Sequence, residues 1–132
     1  MLLFVCSGNT CRSPLAAAMA RQRGWDAQSA GLYAAPGAPA SPGSCRAAER
    51  RGLDLWGHRA RRLSAEMVEQ AERIYVMMDA FYALVLLHFP QAAGKLYVLR
   101  PAIPDPYGGD DAEYERCAGY LERALEGITA QG

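Results

Sequence analysis

The sequence predicts an α/β fold in which a parallel sheet carries helices on both faces. Short apolar runs of strand length alternate along the chain with longer stretches of helical spacing, the pattern of strand–helix–strand units. One run, Ile74-Tyr-Val-Met-Met78, is apolar at every position, as expected of a parallel strand covered on both sides. Between the runs lie helix start and stop residues such as Ser64, Gly52 and Pro90. The 132 residues fit one domain, residues 1–132, with length enough to bury a proper core.

In order, residues 1–5 read as a buried strand, and a helix rich in Ala, Leu and Met follows over 13–23. Residues 25–30 form a second strand. The stretch 31–43, dense in glycine, proline and alanine, reads as a surface loop. Residues 45–51 are helical and stop at Gly52, a fitting left-handed end residue. Ser64 caps another helix through residue 70. After the strand at 74–78, Asp79 is expected to cap a helix to about residue 88, with Pro90 beyond its end. Residues 95–99 are a fourth strand, and 101–109 a loop with three prolines and two glycines. A last helix over 110–128 places Tyr114, Cys117, Leu121, Leu125 and Ile128 on one face.

Composition narrows the function classes. Fourteen basic residues balance fourteen acidic ones, so no net field argues for nucleic acid or a membrane surface. Arg46, Arg50, Arg51, Arg59, Arg61 and Arg62 cluster in mid-chain, and Asp105, Asp110, Asp111, Glu113 and Glu115 near the end. Such runs ordinarily make solvated faces, with steering of an anionic substrate as the alternative. No apolar run approaches the roughly 20 residues needed to cross a bilayer. Met1 leads straight into the first strand without a basic leader. The four cysteines lack metal-ligand spacing and read as thiols, so the expected compartment is the cytoplasm. His58 and His88 give no metal set, and nothing in the sequence calls for a cofactor.

The chemistry concentrates at the start. The first strand ends in Cys6-Ser7-Gly8-Asn9-Thr10-Cys11-Arg12-Ser13-Pro14, then a helix begins. Strand, tight loop and helix N-terminus in that order form an anion cradle, because loop N–H groups and the helix dipole converge on one spot. Neither a Walker A loop nor a dinucleotide fingerprint matches this spacing. A cysteine at the floor of such a cradle is favoured as thiolate and suited to nucleophilic attack on phosphorus. Arg12 offers a planar fork for two phosphate oxygens, and the amides of residues 7–11 complete the cradle. Ser13 is placed to donate its hydroxyl to the Cys6 sulfur. Gly8 and Asn9 suit positive φ. A cysteine that merely packs at a strand end is the plainer reading of Cys6, but it leaves Arg12 and Ser13 unexplained.

A leaving group needs a proton donor. Asp105, in Ile103-Pro104-Asp105-Pro106-Tyr107, is the best candidate, acid first and base second; an ordinary turn aspartate before proline is the equal alternative. Tyr107 either stacks on a planar substrate group or is simply an exposed loop residue. Cys11 either pairs with Cys6 on oxidation or is a small buried residue, and Cys45 and Cys117 belong to the core.

These residues resemble the low-molecular-weight protein tyrosine phosphatase family. The resemblance rests on 5–14 and on Ser29-Ala30-Gly31, Gly57-His58-Arg59-Ala60-Arg61 and Asp105-Pro106-Tyr107, in the family's order across nearly the whole chain. It implies a flavodoxin-like three-layer sandwich with a four-stranded parallel sheet of order 2-1-3-4. It implies Cys6 as nucleophile, Arg12 as phosphate binder and Asp105 as general acid. It also implies Leu32, Tyr33 and Tyr107 as the rim of the pocket, and a phosphorylated protein as substrate of a monomeric enzyme.

Two departures stand out. The chain is short for that family, which trims the approach to Asp105. Thr10 stands where many phosphotyrosine enzymes of the family carry isoleucine, and Thr-Cys-Arg-Ser with Asp-Pro-Tyr-Gly-Gly resembles the bacterial protein arginine phosphatase branch. That tilts the reading toward phosphoarginine, with a strict tyrosine phosphatase as the alternative. An arsenate reductase on the same scaffold would need cysteines after the third strand, where the chain reads Met77-Met78-Asp79-Ala80-Phe81-Tyr82. A non-catalytic phosphate-binding module and a Cys6–Cys11 redox sensor complete the alternatives.

Overall fold

A computed structural model of the chain describes residues 1–131, with side chains to residue 128. Four strands, β1 (Leu2–Cys6), β2 (Ala27–Gly31), β3 (Arg73–Val76) and β4 (Leu96–Val98), form one parallel sheet in the order β2-β1-β3-β4. This is the expected 2-1-3-4 order of a flavodoxin-like sheet. Leu3, Phe4 and Val5 of β1 have no exposed surface, so both faces of the central strand are covered. Alternation of inward and outward side chains has no meaning there, which is why the strand is apolar throughout.

Five α-helices flank the sheet: α1 (Arg12–Gln22), α2 (Pro42–Glu49), α3 (Ala65–Gln70), α4 (Asp79–His88) and α5 (Asp111–Gln131). α1 packs on β1 and β2 and against α5, and α5 packs on α2. α4 lies on β3 and β4. The chain steps outward from β1 to β2 and then back across to β3 and β4. Connections of one hand therefore put α1 on one face and α3 and α4 on the other.

The capping expectations divide. Ser64 Oγ accepts from the Met67 amide at 3.3 Å, so it caps α3. Gly52 has φ +74°, and Leu53 N donates to Ala48 O at 2.9 Å, closing α2 by a Schellman-type turn. Asp79 does not cap α4. Met78 holds the cap position, and Asp79, the first helical residue, instead accepts from Arg100 at 2.9 Å. α1 begins at Arg12, one residue before its expected start.

The stretch 31–43 is a loop that lies only partly on the surface: Tyr33, Ala35, Pro36, Gly37 and Pro39 are exposed. Leu32, Ala34 and Ala40 are buried, and α2 already starts at Pro42. An unforeseen rib covers it. Gly31 N donates to Arg61 O and Leu63 N to Gly31 O, both at 2.9 Å, while Ala60 N donates to Ala38 O at 2.8 Å. Residues 58–63 thus run beside the edge of β2. The opposed charge runs also meet: Arg46 pairs with Asp111 at 2.8 Å, Arg50 with Glu115, and Arg51 with both Glu115 and Glu122. They join the end of α2 to α5 and offset each other's charge.

Candidate active site

The site lies beyond the carboxyl end of β1, where open α/β sheets hold their ligands. Cys6 ends the strand, and its sulfur is 2.9 Å from Ser13 Oγ on the first turn of α1. The loop between them turns on Asn9, whose φ is +57°. Asparagine tolerates this left-handed conformation better than most side chains. Gly8, expected to share that property, is not in the positive-φ region. Its place is on the wall of a cavity of about 220 Å³ lined by Cys6, Ser7, Gly8, Thr10, Cys11, Arg12, Asp105 and Tyr107.

Arg12 is 3% exposed, and the protein orients it from one side. Its Nη1 donates to Ile103 O at 3.1 Å and lies 3.6 Å from Met78 Sδ, while the Phe81 ring sits under the guanidinium at 5.3 Å. The other edge of the fork is left for a ligand. Nε is buried without a hydrogen-bond partner among the described residues, and Nη2 stands 3.7 Å from Asp105 Oδ2. A buried donor left unpaired is costly, and an oxyanion against this edge would satisfy it.

Asp105 belongs to the turn and to the cavity at once. Oδ1 accepts the Tyr107 amide at 3.0 Å, forming the turn, and Oδ2 faces Arg12 at the cavity. The short approach from β4 therefore still delivers the carboxylate. With thiol, unpaired guanidinium edge and carboxylate around one anion-sized space, the arrangement can bind a tetrahedral oxyanion and exchange a proton beside it.

The family model described as low molecular weight phosphotyrosine protein phosphatase matches residues 1–131. The chain belongs to this family of phosphoric monoester hydrolases. A protein-arginine-phosphatase of Geobacillus stearothermophilus is 32% identical to it, over 97% of this chain and 93% of the relative. The low molecular weight protein-tyrosine-phosphatase Etp of Escherichia coli K12 is 35% identical, over 95% and 89%. Among solved structures, the YwlE arginine phosphatase from Geobacillus stearothermophilus superposes with a TM-score of 0.94 at 30% identity, covering 98% of this chain and 90% of that one.

Behind the cavity of this family member, the loop is braced by residues that its own sequence does not contain. Asn9 Nδ2 donates to Ser13 Oγ at 2.8 Å and Ser29 Oγ at 2.9 Å, and Asn9 Oδ1 accepts the Arg61 amide at 2.9 Å. His58 Nε2 donates to Asn9 O at 2.7 Å, which fixes the ring as the Nε2–H tautomer. Burial is the main cause lowering the His58 pKa below 6.5, with Arg21, Arg61 and Arg59 adding to it and the Asn9 bond opposing. Gly31 is required for close approach. A Cβ there would stand 2.7 Å from Ser7 O and 2.9 Å from Asn9 N. Ser29, Gly31, His58 and Arg61 all lie in the short segments that carry the family resemblance.

The expected rim is dispersed. Tyr107 lines the cavity and is 77% exposed. Leu32 and Tyr33 do not line it: their amides donate to Cys6 O and Ser7 O at 3.0 and 2.9 Å, and the Tyr33 side chain is 58% exposed. Cys45 and Cys117 are buried as expected, and burial pushes the Cys117 thiol up to about 12.

Proposed function

We propose that the chain hydrolyses phosphorylated proteins through a cysteinyl-phosphate intermediate. The convergence of Cys6, Arg12 and Asp105 on one cavity, with Arg12 Nε unpaired, carries the reading. The Cys6 thiolate attacks phosphorus, forming a P–S bond as the bond to the leaving group breaks, and Asp105 passes its proton to the departing atom. Arg12 and the loop amides hold the equatorial oxygens. Asp105 then takes a proton from water, whose oxygen attacks phosphorus and releases Cys6 to the Ser13 hydroxyl. Nothing in these steps requires a metal or cofactor. The four free thiols suit a reducing compartment, and we place the enzyme in the cytoplasm.

Relatives named for arginine and for tyrosine match at similar identity, so the substrate class is argued from Thr10. Thr10 belongs to the cavity lining, where a hydroxyl would offer a hydrogen bond to a guanidinium or a water and isoleucine would add bulk without one. Phosphoarginine is the preferred substrate on this ground. Turnover of para-nitrophenyl phosphate by wild type, Cys6→Ser and Asp105→Asn tests the mechanism. Cys6→Ser is expected to be inactive and Asp105→Asn to lose about 10²–10⁴-fold in kcat. Full activity in either variant removes that residue's role. Rates on phosphoarginine and phosphotyrosine peptides, compared between wild type and Thr10→Ile, test the substrate; an unaltered preference defeats the Thr10 argument.

A further inference from the structure

On the far side of the loop from Asn9, a second group of polar side chains converges on Cys11. Its sulfur is 3.0 Å from Ser41 Oγ and 3.7 Å from the Tyr114 hydroxyl. Ser44 Oγ donates to Cys11 O at 3.1 Å, and Ser41 N donates to Thr10 O at 2.8 Å. Two adjacent residues of the cradle are thus held by the start of α2 and by α5, elements distant in sequence.

Three observations show that this contact is built rather than incidental. Ser41 occupies the N-cap position of α2, yet its hydroxyl makes no cap hydrogen bond and goes to Cys11 instead. A cap is worth about 1 kcal/mol to a helix, so that stabilisation is redirected to the loop. Second, Tyr114 lies flat against α2 at Gly43, where any Cβ would stand 2.4 Å from its ring. Only glycine lets the two helices approach closely enough to put the phenol on the loop. Third, burial first and the Cys11 hydrogen bond second push Tyr114 up to about 12, so its hydroxyl stays neutral at any working pH. Tyr114 does not line the cavity, and neither does Ser41.

We propose that Tyr114, Ser41 and Ser44 are positioning residues that clamp the Thr10–Cys11 limb and so preset the cradle for the phosphoryl group. The inference rests on the phosphatase reading of that cradle. The clamp acts through Cys11: it fixes the peptide units on either side of the thiol, immediately before Arg12 and the start of α1. Preset N–H groups cost no reorganisation when charge moves onto the oxygens, so a loosened limb weakens both phosphate binding and the chemical step.

Inorganic phosphate is the probe. It is titrated calorimetrically into wild type, Tyr114→Phe, Ser41→Ala and Cys11→Ala, with kcat and KM on para-nitrophenyl phosphate measured alongside. Loss of one neutral hydrogen bond corresponds to about five-fold, the expected weakening of phosphate binding in Tyr114→Phe and Ser41→Ala, with a larger loss in Cys11→Ala, whose sulfur meets both hydroxyls, and kcat falls with it. Cys11→Ser keeps a donor and an acceptor in place and restores most of the loss. Tyr97→Phe, an exposed position on β4, leaves every value unchanged. A clamp that served stability alone would lower Tm and leave the phosphate Kd untouched well below it.

Phosphate affinity and kcat within two-fold of wild type in Tyr114→Phe and Cys11→Ala overturn the proposal. Should Tyr114→Phe fail to fold, Cys11→Ala with its serine rescue decides alone. If wild type binds no phosphate, clamp and phosphatase reading fall together. Persistent turnover by Cys6→Ser defeats the phosphatase mechanism without touching the clamp's effect on phosphate binding. Inactive Cys6→Ser beside unaffected clamp variants defeats the clamp alone.

Discussion

Asn9→Ala tests how much of the loop's shape is held from outside it. The substitution removes three hydrogen bonds, to Ser13 Oγ, to Ser29 Oγ and from the Arg61 amide, all between 2.8 and 2.9 Å around a side chain with no exposed surface. At about 1 kcal/mol each they contribute roughly 3 kcal/mol. Alanine at φ +57° adds about 1 kcal/mol of backbone cost that asparagine largely avoids. The expected loss is therefore about 4 kcal/mol, or a fall in Tm on the order of 15 °C for a chain of this length. Urea and thermal unfolding measure it. Ser29→Ala gives a second arm. Alone it costs about 1 kcal/mol, but in the Asn9→Ala background it costs almost nothing, because its partner is already gone. A loss under about 1.5 kcal/mol for Asn9→Ala, or strict additivity in the double variant, refutes the network as described.

The pH dependence of stability follows from His58. Its pKa in the fold lies below 6.5, so at pH just under 6.5 the unfolded chain binds a proton that the folded chain does not. The contribution of a neutral His58 is complete above pH 6.5 and is lost as pH falls through the lowered folded value. Unfolding free energies between pH 5 and 7.5 should decline toward acid in wild type and decline less in His58→Gln; parallel curves would exclude His58 as the cause. Lys95 tests a different joint. Its ammonium donates to Val68 O and to Ala71 O at 2.8 Å, closing the end of α3. Lys95→Met should cost about 2 kcal/mol in unfolding with kcat unchanged, and a loss below about 0.5 kcal/mol would show the ammonium to be dispensable.

The sheet was legible because β1 and most of β3 are apolar on both faces and the connections carry helix marks. Strand order came from the family resemblance; periodicity alone does not reveal it. The rib at 58–63 escaped because it forms no continuous ladder: two isolated bridges, Gly31 to Arg62 and Pro39 to Arg59, have no hydrophobic period. Asp79 misled because an aspartate at a helix start has two outlets, and here the Arg100 guanidinium outcompetes the helix amides. In the site, Cys6, Arg12 and Ser13 were readable from spacing on one local strand–loop–helix unit. Asp105 was readable only as an alternative, since the turn and the cavity take one carboxylate oxygen each. Ser41 gave no pattern and Tyr114 read only as part of the apolar face of the last helix, because their meaning at the loop lies in where α2 and α5 meet.

What separates the legible from the illegible half of the site is the way a buried loop must be satisfied. Asn9 and Ser13 have no exposed surface, so water cannot pair their polar groups and protein must. The loop does this only in part, through the Asn9–Ser13 bond. Partners must therefore arrive from other segments, and each arrival leaves only a short trace: Ser29 with Gly31, His58 with Arg61, Ser41 with Ser44. Gly31 shows the constraint at its tightest, with room for a hydrogen but not a methyl against Ser7 O. The local motif accordingly carries the residue types that the proposed chemistry needs, while these scattered pairs hold the loop that presents them. A variant retaining every residue from 6 to 13 but with Gly31 replaced is expected to keep those groups and lose their alignment, because a Cβ would meet Ser7 O at 2.7 Å.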